Sequence, residues 1–356
     1  MSRFMDKKYD ALEAYVPGEQ PKDKQYIKLN TNESPFPPSP LVNEAITKIE
    51  IDDLRLYSDP ECKKLTDKLA QTYGFEPENV FIGNGSDEVL NLAFMAFCQS
   101  GVAFADITYG FYEVFAELYG IDTKIIPLKD DFSICPEEYM GINRAIVIAN
   151  PNAPTGLLLN IKEIEEIVKT NPNNVIIIDE AYIDFGGESA LELVRKYDNI
   201  LVVRTYSKSR SLAGGRLGFS IGSKELTDDL RKLKYSTNPY NINRLTLLAG
   251  EASLNDEMYY RENCHKIMNN REYTTKELEK LGFSVLPSMS NFVFARTDKI
   301  QGGELAKQLK ERGILIRHFE KDRIRDYIRV TIGTEEQMNA FLTEVKAILE
   351  GEANKK

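Results

Sequence analysis

The sequence predicts an α/β protein: a large domain with a three-layer, mostly parallel sheet, and a smaller α+β domain. From about residue 41, short apolar strands alternate with helices, an order typical of a parallel sheet that is covered on both faces. The run 175–178 is continuous and β-branched, as expected for a strand buried on both sides. After about residue 245, a long charged helix and several short strands follow, which favours a second, smaller domain.

These elements divide the chain into three parts. We expect an N-terminal arm (1–29) that packs with the small domain, a large domain (30–245) and a small C-terminal domain (246–356). The predicted strands lie at 26–29, 80–82, 145–149, 175–178, 200–203, 283–286, 291–295, 314–316 and 327–332. The predicted helices lie at 89–97, 161–169, 251–280, 305–311 and 334–349. Asn160 and Thr334 are suited to begin helices, and Gly282 to end one.

Composition argues against several classes of function. A net charge of −10 argues against a nucleic-acid partner. No run reaches the roughly 20 apolar residues that a membrane span needs, and the N-terminus lacks an apolar signal core, so we expect a cytoplasmic chain. The four cysteines are widely spaced and form no CxxC pair, so no metal site is expected. With only two histidines, catalysis built on histidine is disfavoured.

A proline-rich segment, residues 30–40, joins the arm to the first helix of the large domain. Its four prolines, at 35, 37, 38 and 40, oppose regular helix and favour an extended chain. Two interpretations remain open: an interdomain linker, or a strap that crosses a functional site.

A lysine, Lys208, follows the buried strand 200–203, and Arg216 lies beyond the loose Ala-Gly-Gly at 213–215. A lysine amine can form a Schiff base with an aldehyde. An arginine can hold a phosphate through paired, charge-assisted hydrogen bonds. Lys208 alone is no more than a surface lysine, so the hypothesis requires further groups nearby.

A phosphate-binding turn is predicted at 83–88 (GNGSDE), between a strand and a helix. Gly83 and Gly85 permit a tight turn, and the amides of Ser86 and Asp87 would point from a helix N-terminus, where anions bind. A dinucleotide site is excluded because the third glycine of its fingerprint is missing. The alternative is an ordinary turn that caps a helix.

Polar and aromatic groups follow three other predicted elements. Asp179 ends the most apolar strand and suits a protonated ring nitrogen, with Tyr182 close behind it. Tyr109, in TYGFY, can stack on a flat ring or simply pack into the core. Arg317 follows the predicted strand 314–316, and Arg329 lies within the predicted strand 327–332. Together they suit an anionic substrate, although each alone would be an ordinary surface residue.

Taken together and in this order, these motifs resemble the fold-type I aminotransferases that use pyridoxal 5′-phosphate. The resemblance covers nearly the whole chain. The segment around Lys208 and DEAY at 179–182 are specific for the superfamily, and YVPG at 15–18 and LNTNESP at 29–35 are most similar to its histidinol-phosphate branch. Its other carriers are Tyr57, the motifs at 83–88, 108–112 and 150–156, and the sequences at 239–241, 290–292, 313–317 and 329–333.

The resemblance implies roles for individual residues. Lys208 would bind the cofactor covalently and move the proton, Asp179 would pair with the ring nitrogen, Tyr182 would bond the ring oxygen, and Tyr109 would stack on the ring. The phosphate would be surrounded by Gly85, Ser86, Asp87, Thr205, Ser207 and Arg216. In a homodimer with shared sites, Tyr57 would reach the neighbour's cofactor phosphate. The substrate's anionic end would meet Tyr15, Arg317, Arg329 and the neighbour's Tyr240, beneath a strap that contains Asn32.

The sequence departs from the family pattern in the NPNAPTG turn and before TYGFY. Ala153 stands where an asparagine is frequent, which removes an amide expected at the ring oxygen. Asn152 is the candidate substitute. Asp106 and Ile107 stand where prolines are common, so the path of the aromatic loop is left open.

The implied activity is transamination of histidinol phosphate with 2-oxoglutarate in histidine biosynthesis, on small-molecule amine and keto-acid substrates. Two alternatives reuse the same site: aminotransfer to aromatic amino acids, and decarboxylation of an amino-acid phosphate such as threonine phosphate. A regulatory protein that binds the cofactor without turnover is a third.

Overall fold

Two sheets organise the computed structural model, which describes residues 5, 9, 12–47 and 51–353. Most of residues 1–11, where the sequence lacks an apolar signal core, lie outside the described residues. In spatial order, the seven strands of the larger sheet are β2 (Val80–Gly83), β8 (Gly218–Gly222), β7 (Ile200–Thr205), β6 (Ile176–Asp179), β5 (Ala145–Ala149), β3 (Val102–Ala105) and β4 (Thr123–Ile126).

The larger sheet is mostly parallel, as predicted. Neighbouring strands from β4 to β7 are parallel, and β8 alone runs antiparallel to both of its neighbours. The carboxyl ends of β5, β6 and β7 therefore meet at one edge, which is where ligands bind in open α/β sheets.

Helices cover both faces, which gives the predicted three layers. Successive strand residues point to opposite faces, so Ile146 and Ile148 enter one core while Val147 enters the other. One core is completed by α1 (Pro40–Thr47), α2 (Lys63–Tyr73), α5 (Ile161–Thr170), α6 (Leu191–Val194) and α8 (Arg244–Leu254). The other is completed by α3 (Ser86–Phe97), α4 (Phe111–Tyr119) and α7 (Lys224–Thr237).

The smaller sheet brings the N-terminal part of the chain to its C-terminal part. Its strand order is β1 (Ile27–Leu29), β11 (Ile314–His318), β12 (Tyr327–Thr331), β10 (Phe292–Arg296) and β9 (Ser284–Val285). Strand β1 runs parallel to β11, and the other pairs are antiparallel. A third apolar core joins this sheet to α9 (Glu257–Lys280), α10 (Gly302–Glu311) and α11 (Glu335–Ala353).

Two predicted boundaries are wrong for local reasons. The helix expected at 251–280 is two helices, because Asp256 accepts a hydrogen bond from the Tyr259 amide and begins α9 anew; Asn and Asp favour such caps over helix interiors. The segment 30–40 is irregular up to Ser39, but Pro40 is the first residue of α1, where its missing N–H costs nothing. Across the described ranges, no helix is both long and apolar enough to span a membrane.

Candidate active site

Two adjoining cavities lie at the carboxyl ends of β5, β6 and β7. The first has a volume of about 390 Å³ and the second about 420 Å³. The first reaches the start of α3, and the second reaches β11 and β12. Five residues line both: Thr31, Tyr109, Ala153, Tyr182 and Lys208. A molecule in one cavity therefore meets a molecule in the other beside these five side chains.

Lys208 stands at the junction of the two cavities. It lies three residues beyond the end of β7, and its Nζ donates to the Thr31 carbonyl oxygen at 3.3 Å. The same Nζ is 5.8 Å from the centroid of the Tyr182 ring. The amine is thus placed where it can react with an aldehyde in the first cavity and serve a substrate in the second.

Asp179 is a buried acid at the wall of the first cavity. It is the last residue of β6 and only 5% exposed. Its carboxylate accepts hydrogen bonds from Tyr112 Oη at 2.8 Å and from the Ala181 amide at 3.2 Å. Burial raises its pKa to about 6, and these two bonds offset only part of that effect. No lysine or arginine of the described residues forms an ion pair with it, so the site lacks a positive charge opposite Asp179.

The start of α3, where the sequence predicts a phosphate cradle, packs closely against β8. Gly85 precedes the helix with φ of +80°, a conformation that favours glycine. A Cβ on Gly218 would lie 2.3 Å from the Ser86 amide nitrogen, so only glycine lets the two elements approach. Arg216 extends to the same place, and its Nη1 lies 3.5 Å from Ser207 Oγ. The cavity side of the cradle is lined by Ser86, Asp87, Thr205, Ser207 and Arg216.

The Asp87 carboxylate orients its neighbours. It accepts from Tyr109 Oη at 2.8 Å and from Arg216 Nη2 at 2.9 Å. Its negative charge would repel a phosphate, so an anion in the cradle would meet the helix-start amides and the guanidinium that Asp87 holds.

Asn152, which the sequence offers for the cofactor, lines neither cavity. Its Nδ2 donates to the Ile107 carbonyl and to Thr155 Oγ1, both at 3.0 Å, and its Oδ1 accepts from Thr108 Oγ1 at 2.8 Å. The side-chain amide of Asn152 therefore bonds within its own turn and to the loop that precedes α4. Ala153 lines both cavities instead.

Arg317 and Arg329 lie side by side at the second cavity. They are directly opposite each other in the antiparallel pair β11–β12. Arg329 Nη2 donates to the Asn30 carbonyl at 3.0 Å, while its buried Nε has no hydrogen-bond partner among the described residues. Arg317 donates to the carbonyl oxygens of Val16, at 3.2 Å, and Pro17, at 3.4 Å. Tyr15 also lines this cavity, so the predicted anion-binding groups are together except for Tyr240.

The proline-rich segment crosses the site, as the strap interpretation expects. The Asn30 carbonyl accepts from Arg329, and the Thr31 carbonyl accepts from Lys208. The Asn32 carbonyl accepts from Asn291 Nδ2 at 3.1 Å. The side-chain Nδ2 of Asn32 donates to Tyr182 Oη at 3.0 Å. The segment is therefore bonded to Lys208, Tyr182 and Arg329.

Tyr57 and Tyr240 lie apart from both cavities of their own chain. Their rings stack on each other with centroids 4.3 Å apart. They are 78% and 43% exposed, and neither lines the first or the second cavity. Two large aromatic side chains are thus presented together to the outside of the chain.

Comparison with known proteins identifies the family. Residues 24–345 match the family model described as aminotransferase class I and II. The chain belongs to the class I and II aminotransferases. Relatives named histidinol-phosphate aminotransferase include one from Brachyspira hyodysenteriae, 51% identical over 98% of this chain and 99% of the relative. Another, from a Marinomonas species, is 50% identical over 98% of this chain and 100% of the relative.

Solved structures agree with this assignment. The histidinol-phosphate aminotransferase from Clostridium acetobutylicum superposes with a TM-score of 0.83 at 25% identity, covering 91% of this chain and 99% of that one. The L-threonine-O-3-phosphate decarboxylase from Porphyromonas gingivalis has a TM-score of 0.81 at 22% identity, covering 91% and 99%, which shows the shared fold alone. The larger sheet and its helices are therefore those of a fold-type I aminotransferase, as the sequence predicts.

Several residues of this aminotransferase site were missed by sequence reasoning. Tyr112 lies in the same TYGFY motif as Tyr109, and its polar contact with Asp179 depends on how α4 packs over β6. Thr31 takes part through its carbonyl group, for which side-chain patterns carry no signal. Glu180, inside DEAY, was given no role, and it lies in the core paired with Arg204 at 3.0 Å.

Proposed function

We propose that this aminotransferase transaminates L-histidinol phosphate with 2-oxoglutarate, giving imidazole acetol phosphate and glutamate, with pyridoxal 5′-phosphate as cofactor. The observation that carries the proposal is the pair of cavities that meet at Lys208. One ends at a helix start and Arg216, and the other at Arg317 and Arg329. The names of the near full-length relatives support the same activity.

The first cavity fits pyridoxal phosphate in three chemical respects. Asp179 is a buried acid with no ion-pair partner in the described part of the chain, which suits a protonated ring nitrogen. The α3 start and Arg216 suit a phosphate, and the Lys208 amine suits an aldehyde. We propose that the cofactor is held by Gly85, Ser86, Asp87, Tyr109, Asp179, Tyr182, Thr205, Ser207, Lys208 and Arg216. When bound, the cofactor supplies an aldehyde that bonds amines and a ring that delocalises an electron pair.

The chain's own residues then have separate tasks. Asp179 keeps a proton on the ring nitrogen through its negative charge. Lys208 lines both cavities, so its Nζ can take a proton from the α-carbon of a substrate in the second cavity. It can then deliver that proton to a group in the first cavity. Tyr182 Oη, held by Asn32, is the group positioned to donate to a ring oxygen. The proline-rich segment and Tyr109 reduce the access of water to these groups.

Arg317 and Arg329 select the substrate by charge. Both half-reactions present an anion: a phosphate in histidinol phosphate and a carboxylate in glutamate. The phosphate carries near two charges and three acceptor oxygens, so it gains more from two guanidinium groups than a carboxylate does. Tyr15 and Asn32 would complete this side of the site.

We further propose that the enzyme is a cytoplasmic homodimer with shared sites. Tyr57 and Tyr240 are exposed, stacked and absent from the linings of their own cavities, which suits residues that serve a neighbouring subunit. The proposed division is an arm at 1–29, a cofactor-binding domain at 30–245 and a small domain at 246–356. The pairing of β1 with β11 supports the attachment of the arm to the small domain.

A coupled assay tests the proposed activity. The purified protein, loaded with pyridoxal phosphate, is incubated with 2-oxoglutarate and histidinol phosphate, histidinol, phenylalanine or threonine phosphate, while glutamate and carbon dioxide are followed. We expect glutamate from histidinol phosphate and little from the other amines. Equal reaction of histidinol or phenylalanine would support the aromatic aminotransferase instead, and release of carbon dioxide from threonine phosphate would support the decarboxylase. Borohydride reduction should label Lys208, and a label on another lysine would overturn the site.

A further inference from the structure

The three residues that follow Lys208 are each held by a different part of the fold. Ser209 bonds to Asp184, in the short 3₁₀ turn that follows β6. Arg210 bonds to the junction of α8 and α9, and Ser211 bonds to the proline-rich segment. The loop that carries the reactive amine is thus fixed from three directions.

The bond between Ser209 and Asp184 is the shortest of these contacts. Ser209 Oγ donates to Asp184 Oδ2 at 2.5 Å, and Ser209 is buried. Burial alone would raise the pKa of Asp184, but the nearby charge of Arg204 and the bond from Ser209 outweigh it, so the pKa is lowered. Because the acceptor is ionised, this is a charge-assisted hydrogen bond, which is stronger than a hydrogen bond between neutral groups.

Packing alone does not fix this loop. A third cavity, of about 410 Å³, is lined by Asp184 and Arg210 but not by Lys208, so open space borders the loop on that side. Ser211 has φ of +58°, a left-handed conformation that is uncommon for residues other than glycine and costs free energy. The position of the loop therefore depends on its polar bonds.

We propose that Asp184, acting through Ser209, is a positioning residue that fixes the Lys208 amine between the two cavities. The inference rests on the proposed function of Lys208. The bond holds the residue directly after Lys208, so its loss allows the Lys208 backbone, and with it Nζ, to shift. A shift on the scale of an ångström at a reacting group is enough to slow a reaction by one to two orders of magnitude.

The test measures capture of pyridoxal phosphate by cofactor-free protein, followed by absorbance and fixed with borohydride. Ser209→Ala and Asp184→Ala should each slow capture about tenfold and lower kcat to a similar extent, with the KM for the amine substrate nearly unchanged. The double variant should be no slower than the slower single variant, because both changes remove the same bond. Asp184→Asn keeps an acceptor oxygen and should recover part of the rate.

A matched control is Ser220→Ala, which removes a buried hydroxyl that bonds to no residue the structure describes. It should capture the cofactor at the wild-type rate. Wild-type capture by Ser209→Ala, or losses that multiply in the double variant, would overturn the inference. If borohydride leaves no label on Lys208 of the wild-type protein, the proposed function is wrong instead. Failure of the inference and failure of the proposed function can therefore be distinguished. Ser209→Ala alone decides the matter if Asp184→Ala does not fold.

Discussion

Tyr112 Oη donates to Asp179 Oδ2 at 2.8 Å, and this bond ties the first turn of α4 to the end of β6. Burial, followed by the neighbouring Asp179 charge, raises the pKa of Tyr112 well above its ordinary value, so the tyrosine remains a neutral donor. A neutral partner orients the carboxylate but does not cancel its charge. Asp179 is thereby kept in place, and its negative charge is paired with no lysine or arginine of the described residues.

The affinity for pyridoxal phosphate should fall as the pH is lowered through about 6. Asp179 has a pKa raised to about 6, so below that pH it takes up a proton and loses its attraction for a protonated ring nitrogen. The cofactor phosphate titrates in the same range. Absorbance titrations from pH 5 to 8 should therefore be run on the wild type and on Asp179→Asn. The variant should lack the part of the pH dependence of cofactor affinity that Asp179 causes. Identical affinity curves for the two proteins would contradict the prediction.

Asp179→Asn should stabilise the cofactor-free protein while it slows turnover. A carboxyl whose pKa is raised by folding does not destabilise the folded state below pH 3.8, where it is protonated in both states. As the pH rises to about 6, the unfolded state ionises more readily than the folded state, and the folded protein loses stability. The shift corresponds to about 3 kcal/mol, so the variant should gain up to that amount at pH 8 and almost nothing at pH 3.5. Urea unfolding at the two pH values measures the gain. Turnover should fall on the order of 10²-fold, because the amide cannot hold the ring proton.

Removal of either substrate-site arginine should reduce kcat/KM, but with different selectivity. Arg329→Ala should weaken both half-reactions by about 2–4 kcal/mol, since each anion loses a charged partner. Arg317→Ala should weaken mainly the reaction of histidinol phosphate. Steady-state kinetics with histidinol phosphate and with glutamate separate the two cases. Arg312→Ala, which removes an exposed ion pair with Glu344, is the control.

Two inactive variants should restore activity when their subunits mix. A Lys208→Ala chain lacks the amine, and a Tyr57→Ala/Tyr240→Ala chain lacks the exposed aromatic pair. In a mixed dimer, one site receives Lys208 from one chain and both tyrosines from the other. Activity after subunit exchange, verified by mass-tagged chains, measures this. Proven exchange with no recovery would mean that each site is built from one chain.

Gly218→Ala should abolish tight binding of pyridoxal phosphate. The added Cβ would lie 2.3 Å from the Ser86 nitrogen, so β8 and the start of α3 must separate and the phosphate cradle must open. Equilibrium dialysis of the cofactor measures the loss, which we expect to exceed tenfold. Gly351→Ala should bind the cofactor as the wild type does, because a Cβ there meets no described atom within 4 Å apart from its own stretch of helix.

The sequence could predict those parts of the site that follow from strand ends. Asp179 closes an apolar β-branched run and Lys208 follows the next one, and the carboxyl ends of neighbouring parallel strands must lie close together. The same reasoning predicted the helices on both faces of the larger sheet, because continuous apolar strands need cover on both sides.

The parts that could not be predicted depend on packing between distant segments. Strand β8 begins and ends in glycine, which weakens its strand pattern, and the need for Gly218 appears only once β8 lies beside α3. Asn152 looked available for the cofactor, but its partners Ile107 and Thr108 lie more than forty residues away in the chain. Sequence spacing cannot show which of two neighbouring residues turns towards a cavity.

The bond from Arg329 to the Asn30 carbonyl has a consequence for the kind of molecule this enzyme accepts. Arg329 Nη2 already has this neutral oxygen as partner, so at Nη2 an incoming ligand exchanges one acceptor for another. At this nitrogen, a neutral analogue of the same shape would replace one carbonyl oxygen with another and gain almost nothing. An anion gains the difference between a neutral and a charge-assisted bond. Discrimination at this position is therefore a matter of charge rather than of the number of contacts.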